Sequence, residues 1–140
     1  MPPSKAMAKT TSYFSGRHRH RENDAIAAAK VEAVNVLASP LLDVSRLRII
    51  NRLRDLHLPA IYQWPESTED GGLLAYGPRR LLCYRHVVSL VDKVLRGAKP
   101  ADLPIEQPSK FELAVNLKTA SAIGMTIPPT LLLRADEVIE

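Results

Sequence analysis

A chain of 140 residues holds one ordinary domain and is too short for two full α/β lobes. Hydrophobic residues at 46% and charged residues at 24% exclude a disordered chain, aromatics at 5% make the core aliphatic, and the lone Cys83 excludes an internal disulfide and a Cys-based zinc site. The net charge of +4 belongs to residues 1–23, with five Lys/Arg against Glu22, while residues 24–140 carry 14 bases and 14 acids, which excludes a nucleic-acid-binding surface built into the body.

In chain order, residues 1–23 read as a disordered basic tail. Pro2, Pro3, Ser4, Ser15 and Gly16 break any period, and the run from Arg17 to Arg21 repels itself. Residues 24–140 form the folded unit. Asn23 or Asp24 caps a short helix through Lys30. Residues 31–38 turn from alternating to continuously apolar, as a buried strand does, and Ser39-Pro40 stops them. A helix from about Val44 to His57 carries Val44, Leu47, Ile50, Leu53 and Leu56 on one face. Residues 58–63 are the next strand, so the three elements make a βαβ unit.

Residues 65–70 form one helical turn, with Pro65 at its start and its acids favouring the N-terminal dipole. Leu73–Tyr76 is a third strand, closed by Gly77-Pro78. The longest helix, about Arg79 to Arg96, places Leu81, Tyr84, Val88, Val91 and Leu95 at spacings of 3, 4, 3, 4, widened by Val87 and Val94. That face is expected to pack on the strands. Gly97 stops the helix, and Pro100, Pro104 and Pro108 mark an extended connector. Phe111, Leu113 and Val115 keep a period of two, a short helix follows over 117–123 to Gly124, and a last short helix begins after Pro128-Pro129.

No constellation of residues supports catalysis. His18 and His20 lack a third metal ligand, and Cys83 with His86 lacks an orienting partner. Glu66, Glu69 and Asp70 read as helix-start acids, and His57 reads as a helix cap. No glycine motif cradles a phosphate, so neither metal nor cofactor is expected. In open α/β sheets, ligands bind at the carboxyl ends of the strands. Here those exits bring Ser39, Tyr62, Gln63, Trp64, Tyr76 and Gly77 to one edge, a lining suited to an organic ligand. The candidate ligand-binding residues are Ser39, Tyr62, Tyr76 and Gly77; packing of strand exits on loops is the other reading of the same residues.

Five stretches carry a family resemblance: Val34–Leu42 (VNVLASPLL), Leu58–Glu66 (LPAIYQWPE), Gly71–Pro78 (GGLLAYGP), Val91–Gln107 (VDKVLRGAKPADLPIEQ) and Lys110–Glu140 (KFELAVNLKTASAIGMTIPPTLLLRADEVIE). They resemble the periplasmic substrate-binding proteins of ABC transporters, in the branch with a type I, leucine-binding-protein-like, two-lobed fold. The resemblance spans roughly residues 24–140 and implies the C-terminal part of such a protein. It implies an α/β fold: an incomplete type I arrangement, with a short, mainly parallel sheet flanked by helices. It implies a truncated solute-binding component of an ABC-type importer that binds a small organic solute, such as an amino acid, without catalysis. In full-length relatives the partner is an ABC permease.

Half a cleft is expected to bind solute poorly or not at all. The missing first lobe would leave Leu103 and Ile105 bare and favour self-association. The exits themselves offer Ser39, Gln63 and Gly77 where a charged amino group calls for a carboxylate. The alternative reading is a cytoplasmic α/β interaction domain with no ligand. Family members work in the periplasm, whereas the chain as written shows no signal peptide and is expected to stay in the cytoplasm. No apolar run reaches the ~18–20 residues of a membrane span, so no membrane insertion is expected.

Overall fold

The computed structural model describes residues 31–140; the basic tail and the helix expected over 25–30 lie outside them. Five strands stand side by side in sequence order: β1 (Val34–Val36), β2 (Ala60–Tyr62), β3 (Leu74–Gly77), β4 (Glu112–Asn116) and β5 (Glu137–Ile139). β1, β2 and β3 are parallel. β4 runs antiparallel to β3, and β5 runs parallel to β4. The mostly parallel α/β architecture agrees with the expectation. The starts of β4 and β5 therefore lie at the same sheet edge as the ends of β1–β3.

The apolar run over 31–38 yields only the three residues of β1, and these are no more than half-buried because β1 is an edge strand. Ser39-Pro40 ends the strand and also opens a helix. Pro40 occupies the first helical position, where its missing N–H is harmless. The expected single helix is thus two, α1 (Pro40–Val44) and α2 (Arg46–Asp55), broken at Ser45 with φ −94° and ψ 5°. The break explains why the expected stripe only partly packs. Ile50 and Leu53 are buried, whereas Val44 is 87% exposed.

One sheet face packs Ala60, Tyr62 and Ala75 under Ile50 and Leu53 of α2. Across the strands, Tyr62 stands level with Val36 and Ala75, so these side chains share that face. The second core joins Leu73, Val115, Ala120, Ile123 and Ile127 and is covered by α5 (Leu117–Ala122) and α6 (Pro129–Leu132). Buried Asn116 locks it. Its Oδ1 accepts from the Thr119 N–H at 2.9 Å, capping α5, and its Nδ2 donates to the Thr68 carbonyl at 2.9 Å. Thr68 belongs to α3 (Glu66–Glu69), the helical turn expected over 65–70.

The longest helix, α4 (Arg80–Leu95), forms where the period predicts it, but its apolar face is not core. Leu81, Tyr84, Val88, Val91 and Leu95 are between 50% and 81% exposed, and no residue of α4 is buried. The expectation that this face packs on the strands is overturned. The proline connector returns beside α4, since His86 Nε2 lies 3.4 Å from Glu106 Oε2. Ile105 of that connector is 98% exposed, as expected, whereas Leu103, also expected to be bare, is half-buried.

Helix α2 ends in a paired hydrogen-bond turn: Leu58 N–H donates to the Leu53 carbonyl and His57 N–H to the Arg54 carbonyl, both at 2.9 Å. The residue between must be left-handed. Gly97 and Gly124 fill that place after α4 and α5, but here it is His57, at φ 53°. His57 therefore terminates the helix, as the sequence suggests, with its Cβ in a crowded conformation. Replacing His57 by Gly relieves this and is expected to stabilise the fold by about 1 kcal/mol. A urea melt checks it; an unchanged or lowered midpoint counts against the strain.

Candidate functional site

The strand exits form a shallow depression that is open to solvent. Its floor and rim come from Val36–Ser39 after β1, Tyr62–Trp64 after β2, Leu42 and Asp43 of α1, Arg46 of α2 and Ser67 of α3. The Ala38 N–H donates to Gln63 Oε1 at 3.0 Å and ties the first two exits together. Ser39 is the residue before α1, but its hydroxyl makes no capping bond. Tyr62 is 4% exposed, and burial pushes its phenol above the ordinary range, so it stays a neutral hydroxyl.

The structure brings Ser39 and Tyr62 together with Gln63 and Trp64, and places Tyr76 and Gly77 elsewhere. Tyr76 lies level with Leu113, on the opposite sheet face from Tyr62, with its ring 5.7 Å from that of Phe111. Gly77 is buried where β3 passes the exit of β2. A Cβ there would stand 1.9 Å from the Gln63 carbonyl oxygen, so only glycine permits the approach. Neither Tyr76 nor Gly77 lines the depression.

A carboxylate does stand at the exits, although not on a strand. Asp43 on α1 lines the depression, with its Oδ1 2.6 Å from Arg80 Nη1. Arg46 lies on the same wall, and its Nε is 2.6 Å from Asp70 Oδ2; that bond, before any other cause, raises its pKa further. Arg80 also reaches toward Trp64, with its guanidinium carbon 5.9 Å from the ring centre. Charged and aromatic groups thus stand together at this edge, with Asp43 paired to Arg80 and Arg46 to Asp70.

Beside it, Arg79 joins three carboxylates from three segments. Its Nε is 2.7 Å from Glu112 Oε2 at the start of β4, and its two terminal nitrogens bond Glu69 of α3 and Glu137 of β5. Glu66 accepts from the Arg80 backbone N–H at 2.9 Å. Glu66 and Glu69 stand in the first turn of α3, as expected, and in addition bond the start of α4. Asp43, Arg46, Ser67, Arg79 and Arg80 are additions to the sequence-derived set. A signal for the last two is present: an Arg pair at a helix start opposes the helix dipole and asks for acidic partners elsewhere.

Arg79→Met is expected to cost about 2 kcal/mol, because it strips charged hydrogen bonds from Glu112, whose side chain is only 12% exposed. Lys110 at 2.7 Å, then Arg79, hold the Glu112 carboxyl below its ordinary 4.5. The stability from Glu112 is complete above that value and is lost as the pH falls below about 4.5. Denaturant melts between neutral and acid pH check both. The variant should lose less stability on acidification than the parent, and an equal loss would remove Arg79 from that role.

Among the described residues, no group of three His, Cys, Asp or Glu is placed to hold a metal. A family model described as ABC transporter substrate binding protein matches residues 24–139. No curated protein matches. Among solved structures, a conserved domain protein from Vibrio cholerae is similar at TM-score 0.75 and 22% identity over 83% of this chain. An ABC domain from Streptococcus pneumoniae, in complex with L-Trp, is similar at TM-score 0.71 and 26% identity over 84%. A ligand-free, open substrate-binding protein with adhesive properties from Clostridium difficile has TM-score 0.54 and 20% identity over 85%. This chain spans 39%, 42% and 40% of their respective lengths.

Proposed function

The chain belongs to the ABC transporter substrate-binding protein family, and on that premise we propose that it supplies one wall of a solute site in an ABC-type importer, for a small organic solute such as an amino acid. The observation that carries this is the depression at the exits of β1 and β2, where Ser39 and Tyr62 meet Gln63, Trp64, Asp43 and Arg46. A hydroxyl, an amide and an aromatic ring position the solute. Asp43 suits an ammonium group, and Arg46 or Arg80 suits a carboxylate. The L-Trp bound by the Streptococcus pneumoniae structure supports the amino acid class.

In this reading, Tyr76 and Gly77 act differently from the other two candidates. Gly77 sets the spacing between the exits of β2 and β3, and Tyr76 contributes only where a solute reaches over the sheet edge. Binding, and not catalysis, is the task. The partner is a membrane permease that receives the solute, and the place of work is the periplasm. Among the described residues, no helix is long and apolar enough to cross a membrane.

A shallow wall leaves much of a ligand in water, whereas well-formed pockets bury about 70–90% of it. The 140-residue chain alone is therefore expected to bind amino acids weakly, in the millimolar range. Amide NMR shifts during titration with a panel that includes aromatic and branched amino acids test this. Shifts centred on Ala38, Ser39, Gln63 and Trp64, lost in Asp43→Asn, support the site. No shift with any amino acid, or shifts confined to another face, would defeat it; micromolar binding would mean that one wall is enough.

A further inference from the structure

The side chain of Arg80 fills a place with the composition of a cation site. Its Nη1 lies 2.6 Å from Asp43 Oδ1, and its guanidinium carbon stands 5.9 Å from the centre of the Trp64 ring. A carboxylate and an aromatic face together recognise an organic cation. Asp43 and Trp64 both line the strand-exit depression, so this place adjoins it. The Arg80 side chain is 17% exposed, so its charge is largely taken out of water.

The fit of Arg80 to this place is incomplete. Arg79, one residue earlier, bonds three carboxylates, whereas Arg80 makes one side-chain hydrogen bond among the described residues. Its Nε is 4.0 Å from Glu66 Oε2, too far for a hydrogen bond. That Glu66 oxygen is buried and has no hydrogen-bond partner among the described residues, although the other accepts from the Arg80 backbone N–H at 2.9 Å. A buried carboxylate oxygen without a donor is costly, and it marks an acceptor that Arg80 leaves unused.

We propose that Arg80 holds, before solute binds, the place of the solute's cationic head, and that binding exchanges partners. The head, an ammonium or guanidinium group, takes Asp43 and the Trp64 face and brings a donor toward Glu66 Oε2. The displaced Arg80 guanidinium then meets the carboxylate of the solute. Each charge leaves one partner for another, so none is buried alone. Arg80 thus decides how tightly a cationic head is held, because every such head competes with it for Asp43. The proposal rests on the solute reading above and narrows it to solutes with a hydrogen-bonding cationic head.

Trp64 is the sole tryptophan of the chain, so its fluorescence reports on this place. The full 140-residue chain and its Arg80→Met variant are titrated at fixed ionic strength with methylguanidinium, which copies the head of Arg80, and with N-methylurea, a neutral molecule of the same shape. Arg80→Met keeps the length of the side chain and the backbone bond to Glu66. It is expected to bind methylguanidinium at least about tenfold more tightly than the parent, with no response to N-methylurea. Asp43→Asn added to Arg80→Met should abolish the gain, and Arg80→Gln, a second neutral variant, should show it too. An Arg80 that only ties α1 to α4 would lower the melting temperature in both variants and leave the titrations as in the parent, which overturns the proposal. Two variants unfolded by far-UV circular dichroism, an equal response to N-methylurea, or a gain that survives Asp43→Asn overturn it as well. Such a failure with amino acid shifts at Ala38, Ser39 and Gln63 intact in the parent removes the exchange and leaves the solute site standing.

Discussion

The guanidinium of Arg79 is the tie on which the carboxyl edge of the sheet depends. It sits between β3 and α4 and bonds carboxyl groups from α3, β4 and β5. Those three groups converge only because β4 and β5 run against β1–β3, so that their starts meet the exits of the parallel strands. Three acids gathered at a half-buried edge repel one another unless a cation sits among them. Arginine suits the place because its donors spread in a fixed fork and reach several acceptors at once.

The next residue extends the tie into the depression. Arg80 holds Asp43 of α1 through its side chain and Glu66 of α3 through its backbone N–H. Asp43 and Ser67, the neighbour of Glu66, both line the depression. Gly77 lets β3 come close enough to the exit of β2 for this to happen. The groups that line the depression are thus held by charge and backbone approach, while one apolar core packs Ala60, Tyr62 and Ala75 with Ile50 and Leu53. That arrangement leaves Ser39, Gln63 and Trp64 on loops with a rigid base, which is how binding residues are commonly carried.

The most regular apolar period in the chain belongs to its least buried helix. Periodicity reports that a helix has an apolar side, and it says nothing of what that side meets. Leu53 and Val91 look alike in sequence, yet one is 2% exposed and the other 50%. The difference is in what each helix meets: α2 sets Ile50 and Leu53 against Ala60, Tyr62 and Ala75, whereas no residue of α4 is buried.

By itself the sequence determined the family, the α/β class, the first three strands with their βαβ start, the period of two at Phe111, Leu113 and Val115 where β4 forms, and the helix ends marked by His57, Gly97 and Gly124. These are local matters of period, turn chemistry and caps. It also placed Ser39, Tyr62, Gln63 and Trp64 at strand exits, since a parallel sheet sends its exits to one edge. Only the tertiary structure decided that β5 exists, because three residues flanked by acids make no strand until β4 pairs with them. It separated Tyr76 from Tyr62 by one step of the pleat, which reverses the face. It also brought Asp43, Arg46 and Arg80 to the exits. Charges distant in sequence have no local pattern; they meet only when strand direction and helix path have fixed where each segment ends.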